Sequence, residues 1–154
     1  MSYNCIVEEK QDQPVLSIRT RSAVQDLPEV FGRCYGAIAQ YLGELGETPS
    51  GAPFAGYYNM DMQDLDIEIG FPVTRLMEGK GEIQAGFIPG GKMATCLHIG
   101  PYKKVEPAYN ALIEYLAQNK YESTGVSYEF YLNDPAETQE EELQTQVVFP
   151  LKVV

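Results

Sequence analysis

Apolar residues along this chain recur with two different periods. From Pro28 to Gly46, Phe31, Cys34, Ile38, Tyr41, Leu42 and Leu45 return at three- and four-residue steps, the spacing that lines one face of a helix. Asp26 stands where a cap belongs, Pro28 falls in the first turn and Gly46 ends the run. A second helix is predicted from about Lys103 to Asn119, with Val105, Tyr109, Leu112, Ile113 and Leu116 on one stripe. Elsewhere the period is two. Leu65, Ile67, Ile69 and Phe71 alternate with Asp64, Asp66, Glu68 and Gly70, which predicts a strand with one apolar face. Cys5 to Val7, Val15 to Ile18, Met93 to Ile99, Ser127 to Leu132 and Leu143 to Phe149 read as further strands.

The order of these elements repeats. Each half holds a strand, a helix ending in Tyr-Leu (Tyr41-Leu42, Tyr115-Leu116), then two strands, the last closing in Phe-Pro. Phe71-Pro72 and Phe149-Pro150 lie 78 residues apart. The expected architecture is α+β: one domain over residues 1–154, made of two β-α-β-β half-repeats of approximately 1–78 and 79–154. Pseudo-twofold symmetry would join their strands into an antiparallel sheet, with two helices on one face and a ligand groove on the other.

Composition narrows the function. Eleven Lys and Arg against 22 Asp and Glu give a net charge of −11, a field that repels phosphate backbones, so no direct nucleic-acid binding is expected. No run approaches the roughly 20 apolar residues of a membrane span, and the start lacks the features of a signal peptide. A cytoplasmic protein without membrane contact is expected. Cys5, Cys34 and Cys96 form no CxxC pair and read as reduced thiols. With His98 the one histidine, a zinc site is hard to assemble; no metal and no cofactor are expected. His98 itself suits a structural hydrogen bond or, less simply, a general base.

The segment Ser127 to Pro135 carries the chemistry. On a strand, Tyr128, Phe130 and Leu132 point one way, against a helix, and Glu129 and Tyr131 the other, toward the groove. A carboxylate among aromatic rings in a partly dry groove has its charged form disfavoured, and a bound cation restores it. The rings add cation–π attraction and stacking. Pattern alone leaves a second option, a solvated carboxylate on an open sheet face. Glu68, beside Asp64 and Asp66, poses the same alternative: a wet acidic face, or a second carboxylate at the groove mouth. Of the adjacent Tyr57 and Tyr58, one should face core and one groove or surface.

Six motifs in order resemble the GyrI-like domain, found also as the effector-binding half of some AraC-type and MerR-type multidrug-responsive regulators. They are Pro53-Phe54-Ala55-Gly56-Tyr57, Asp66 to Val73, Pro89-Gly90-Gly91 with Met93-Ala94, His98 to Tyr102, Glu129 to Pro135, and Leu143 to Pro150. The resemblance implies the duplicated architecture and a central cleft. It also implies that Glu129, two residues before Tyr131, contacts cationic aromatic molecules at the cleft base. Tyr57 matches the cleft tyrosine and Glu68 the acid of the Glu-x-Gly-x-Pro-Val strand. Phe54 and Tyr102, within the matched motifs, complete the expected ligand-binding set. The regulators carry a DNA-reading domain ahead of this one, whereas this chain begins with the first strand, so no DNA-binding domain is expected.

Three functions follow, in order. The first is a stand-alone binder of flat, hydrophobic, often cationic molecules. The second is a hydrolase opening cyclopropane rings of DNA-alkylating natural products, with Glu129 as base and Tyr57 as hydrogen-bond donor. The third is a protein-interaction module with a partner such as gyrase.

Overall fold

Both segments of helical period are helices in a computed structural model that describes residues 3–153: α1 spans Leu27–Glu44 and α2 spans Glu106–Asn119. Their starts differ from expectation for one shared reason. A 3-10 turn, Val24–Asp26 or Tyr102–Lys104, precedes each helix. Asp26 therefore already has a helical backbone (φ −94°, ψ −2°) and its side chain makes no capping hydrogen bond, unlike an extended N-cap residue. The second helix begins at Glu106 rather than Lys103. It ends at Asn119 as expected, but the left-handed residue is Lys120 (φ 59°, ψ 37°), whose N–H donates to the Leu116 carbonyl.

The chain divides into two compact units. The described residues of Met1–Gln11 and Gly90–Val154 form one, with strands β1 (Ile6–Lys10), β6 (Gly91–Ile99), β7 (Ser127–Tyr131) and β8 (Gln144–Pro150) in the order β1-β6-β8-β7. Asp12–Pro89 forms the other, with β2 (Gln13–Ser22), β3 (Phe54–Tyr57), β4 (Leu65–Pro72) and β5 (Gln84–Ile88) in the order β5-β2-β4-β3. Every neighbouring pair named is antiparallel. The result is the expected α+β fold, a β-α-β-β motif twice over, each with one added edge strand.

The edge strands move the expected boundary. β1 pairs with β6 and β5 with β2, so the units part at residues 11/12 and 89/90, not 78/79. Gln11-Asp12 lacks the Asn-Gly or Gly-rich pair that closes a tight hairpin, and β1 does not fold back onto β2. β5 was not among the expected strands, because Gly86 breaks its alternation.

Each helix covers one face of its own sheet. Under α1, Leu16, Ile18, Cys34, Ile38, Leu42, Ile67 and Ile69 are buried together; under α2, Ala94, Cys96, Ala108, Leu112, Leu116, Val147 and Phe149. Each large aliphatic side chain so enclosed stabilises the fold by roughly 1.5–3 kcal/mol. The repeat extends to ring packing: Tyr35 of α1 meets Phe71 edge-on at 5.3 Å, and Tyr109 of α2 meets Phe149 at 5.7 Å. Gly70 of β4 is required by a close approach, since a Cβ there would lie 2.3 Å from the Leu16 carbonyl oxygen.

Candidate functional site

Register decides which side chains meet around Glu129. On β8, Val147 lies opposite Glu129 of β7 and Cys96 of β6, and Thr145 lies opposite Tyr131 and His98. Val147 and Cys96 belong to the core under α2. Residues two apart on a strand share a face, so Glu129, Tyr131, Thr145 and His98 all stand on the α2 face. Glu129 and Tyr131 thus share a face as expected, but it is the helix-covered face rather than the opposite one. Tyr128 and Phe130 point away from α2, and Leu132 lies beyond the strand and is exposed. The difference has a physical source: Tyr109 of α2 satisfies the carboxylate, which allows the polar parity of β7 to face the helix.

The Glu129 carboxylate is 9% exposed and accepts two hydroxyl hydrogen bonds, from Tyr109 and, at 2.9 Å, from Tyr131. Burial holds its pKa above the ordinary carboxylate range, and the two hydroxyls and then the charge interaction with His98 pull it part of the way back. Among the described residues no Lys or Arg lies within ion-pair distance of it. The Tyr102 ring packs edge-on against Tyr131 at 5.3 Å. Its own hydroxyl titrates high, first through burial and then through the Asp134 charge.

His98 is buried and doubly bonded. Its Nε2 lies 3.0 Å from the Pro101 carbonyl and its Nδ1 3.0 Å from the Tyr3 hydroxyl. A carbonyl only accepts, so Nε2 carries a proton, and Nδ1 shares a hydrogen bond with the Tyr3 hydroxyl. Gly100, at φ 133°, turns the chain out of β6 so that Pro101 comes back over the ring. His98 is the structural hydrogen-bonder, with both nitrogens engaged. Thr145 differs: it is 0% exposed, and its hydroxyl finds no partner among the described residues.

Asp12–Pro89 arranges its polar side chains otherwise. Glu68 stands on the face away from α1, where the hydroxyls of Ser17 and Tyr58 each donate to it at 2.6 Å. Beside it the Arg19 guanidinium lies 3.6 Å from the Tyr58 ring centroid and forks onto Asp66 at 2.6 and 2.9 Å. That pairing holds Asp66 below the usual carboxylate range. Tyr57 packs instead on the α1 core, so Tyr57 and Glu68 occupy opposite faces. Phe54, expected in the ligand-binding set, is 0% exposed and is a core residue.

Counting inward from each Phe-Pro pair aligns the two units position by position. Val147 corresponds to Ile69, whose β3 partner is Ala55; Val147's β7 partner is Glu129. Thr145 corresponds to Ile67, and their partners are Tyr131 and Tyr57. His98 corresponds to Thr20. The tyrosine frame is shared, whereas the carboxylate and its buried polar neighbours belong to one unit. Tyr109 and Thr145 were not among the expected site residues. Tyr109 sits on the apolar stripe of α2, and only its alignment with Tyr35, counted from the Tyr-Leu helix ends, marks it.

No group of three or more His, Cys, Asp or Glu among the described residues is placed to hold a metal, and no helix is long and apolar enough to cross a membrane. Two open grooves, of about 600 Å3 beside Tyr3, Asn110 and Glu114 and about 310 Å3 beside Gln40, Glu44 and Lys80, are lined by neither Glu129 nor Tyr131.

The chain belongs to the GyrI-like small molecule binding domain family, which it matches over residues 3–152. No curated protein matches it. Among solved structures it is similar to EcmrR in an EcmrR–DNA complex, at 23% identity and a TM-score of 0.85, covering 99% of this chain and 58% of that one. This chain thus spans little more than half of EcmrR. The isolated EcmrR C-terminal domain is covered completely, with a TM-score of 0.81. SAV2435 bound to tetraphenylphosphonium (13% identity, TM-score 0.70, 99% of this chain and 94% of that one) has the same fold. So does a hydrolase from Listeria innocua (14%, 0.69, 97% and 92%). At these identities the likeness is one of fold.

Proposed function

We propose that this protein binds hydrophobic, aromatic, predominantly cationic molecules, flat ones among them, with Glu129 as their counter-charge and Tyr131, Tyr109 and Tyr102 as aromatic walls. One observation carries the reading: a carboxylate buried under a helix, held by two tyrosine hydroxyls, with no Lys or Arg within ion-pair distance among the described residues. Burying a carboxylate without a counter-ion is unfavourable, and a lipophilic cation removes that cost on arrival. A hydrated inorganic cation would have to shed its own water to do the same, which favours large, weakly hydrated organic ions. The tetraphenylphosphonium bound by SAV2435 is of that kind.

The test is titration with tetraphenylphosphonium and N-methylacridinium, beside Glu129→Gln. Micromolar binding of both is expected, weakened about 10- to 100-fold in the variant, the worth of a charge-assisted contact. Binding indifferent to Glu129, or favouring neutral aromatics of the same shape, refutes it.

A second reading is hydrolysis, favoured by the same carboxyl held above its ordinary pKa, where it suits proton transfer, with tyrosine hydroxyls as donors beside it. Turnover of a strained cyclopropane-bearing alkylator by wild type, absent in Glu129→Ala, decides for it.

A further inference from the structure

Resting on the cation reading above, we propose that Thr145 is a second polar anchor of the same site. Its hydroxyl would accept a hydrogen bond from a donor group on the cation that Glu129 holds. Three observations meet there.

The first is the orphaned hydroxyl itself: Thr145 is 0% exposed and its Oγ1 has no partner among the described residues. A buried hydroxyl in that condition destabilises a fold that gains nothing from it. The second is position. Thr145 lies directly across from Tyr131, whose hydroxyl reaches Glu129 at 2.9 Å, and on the same helix-covered face. The diagonal from Thr145 to Glu129 is then about 7–8 Å, a span that one fused aromatic ring system covers. The third is the repeat. The corresponding residue in the other unit is Ile67, also 0% exposed, so this place in the fold accommodates an aliphatic side chain and does not itself call for a hydroxyl.

The nearest competing claim on that hydroxyl is His98, directly opposite on β6. Both its ring nitrogens are engaged, by Pro101 and Tyr3, so it has no group to offer Thr145. The ligand class is therefore narrower than any lipophilic cation. It is a flat cation carrying an amine, amide or hydroxyl N–H or O–H on its rim, several ångströms from the charge.

A matched pair of probes separates the two anchors: N-methylacridinium, which has no hydrogen-bond donor, and its 3,6-diamino derivative, which has two. Wild type is expected to prefer the diamino compound. Thr145→Val is expected to bind it about three- to ten-fold more weakly while binding N-methylacridinium as before. Thr145→Ser, which keeps the hydroxyl, should restore the preference. In the absence of ligand, Thr145→Val should unfold about 2–4 °C higher, because the orphaned hydroxyl is gone. Equal losses for both probes, or none, overturn the assignment while leaving Glu129 in place, as does a lower unfolding midpoint. If wild type binds neither cation, the Glu129 reading fails, and this one with it.

Discussion

Tyr109, on α2, donates its hydroxyl to the carboxylate of Glu129, on β7, so the helix that closes the core also closes the charge. That contact satisfies the carboxylate itself, so in the proposed binding mode a cation competes with a tyrosine hydroxyl for Glu129.

Tyr109→Phe removes the competitor and keeps the ring. The unliganded protein should lose about 1–3 kcal/mol of stability, the cost of leaving a buried carboxyl oxygen without its hydroxyl partner. Cation affinity should rise about three- to ten-fold, because the carboxylate now has more to gain. Urea unfolding and dye titration read the two effects separately. Weaker binding instead would show that Tyr109 holds the ligand rather than the carboxylate.

The same burial predicts a pH dependence of definite sign. Glu129 in the folded protein holds its proton to higher pH than in the unfolded chain. The fold therefore gains from this group below the ordinary glutamate value, about 4.3. That gain is lost as pH rises from there through the raised folded value. Cation binding favours the ionised form, so over that window binding should release a proton and tighten with pH. Calorimetric titrations in buffers of different ionisation enthalpy measure the release, and Glu129→Gln should abolish it. Proton uptake on binding would contradict the proposed pairing.

Glu68, though matched by motif, is held by Ser17 and Tyr58 on the face away from α1. Glu68→Gln should cost about 1 kcal/mol of stability through those two hydroxyls and change cation affinity by less than about two-fold. A large fall in affinity with an unchanged unfolding midpoint would move Glu68 into contact with the ligand.

Leu112 is 0% exposed beneath α2. Leu112→Ala should destabilise by about 2–5 kcal/mol, through lost burial and the cavity left behind. Because this residue seats the helix that carries Tyr109, the variant should also exchange its α2 amide protons faster. Hydrogen exchange confined to other segments would contradict that coupling.

Much of this was legible in the chain because periodicity is written in side chains. Ile38, Leu42, Leu112 and Leu116 mark their helices, and Leu65, Ile67 and Ile69 mark β4, by spacing alone. The Phe-Pro pairs that announce the repeat do end equivalent strands. What spacing does not encode is long-range: which face of β7 a helix will cover, and whether Phe54 is enclosed. Tyr128 and Phe130 imitate the core side of an amphipathic strand and so predict the opposite face for Glu129, whereas Tyr109, 20 residues upstream, supplies the polar partner that lets it face the helix. Asp26 failed as a cap for a local reason, the 3-10 turn that already curls its backbone.

The alignment of Ala55 with Glu129 has a consequence for how such a site persists. A lone domain that buries an uncompensated charge is exposed to every further destabilising change. Here the charge sits in one copy of a duplicated frame, while the other keeps alanine and isoleucine where the first has glutamate and threonine. On the proposed reading, one half specialises in recognition while the other remains an ordinary hydrophobic scaffold, and substitutions that retune ligand choice around Glu129 and Thr145 leave the aliphatic positions of the other half untouched.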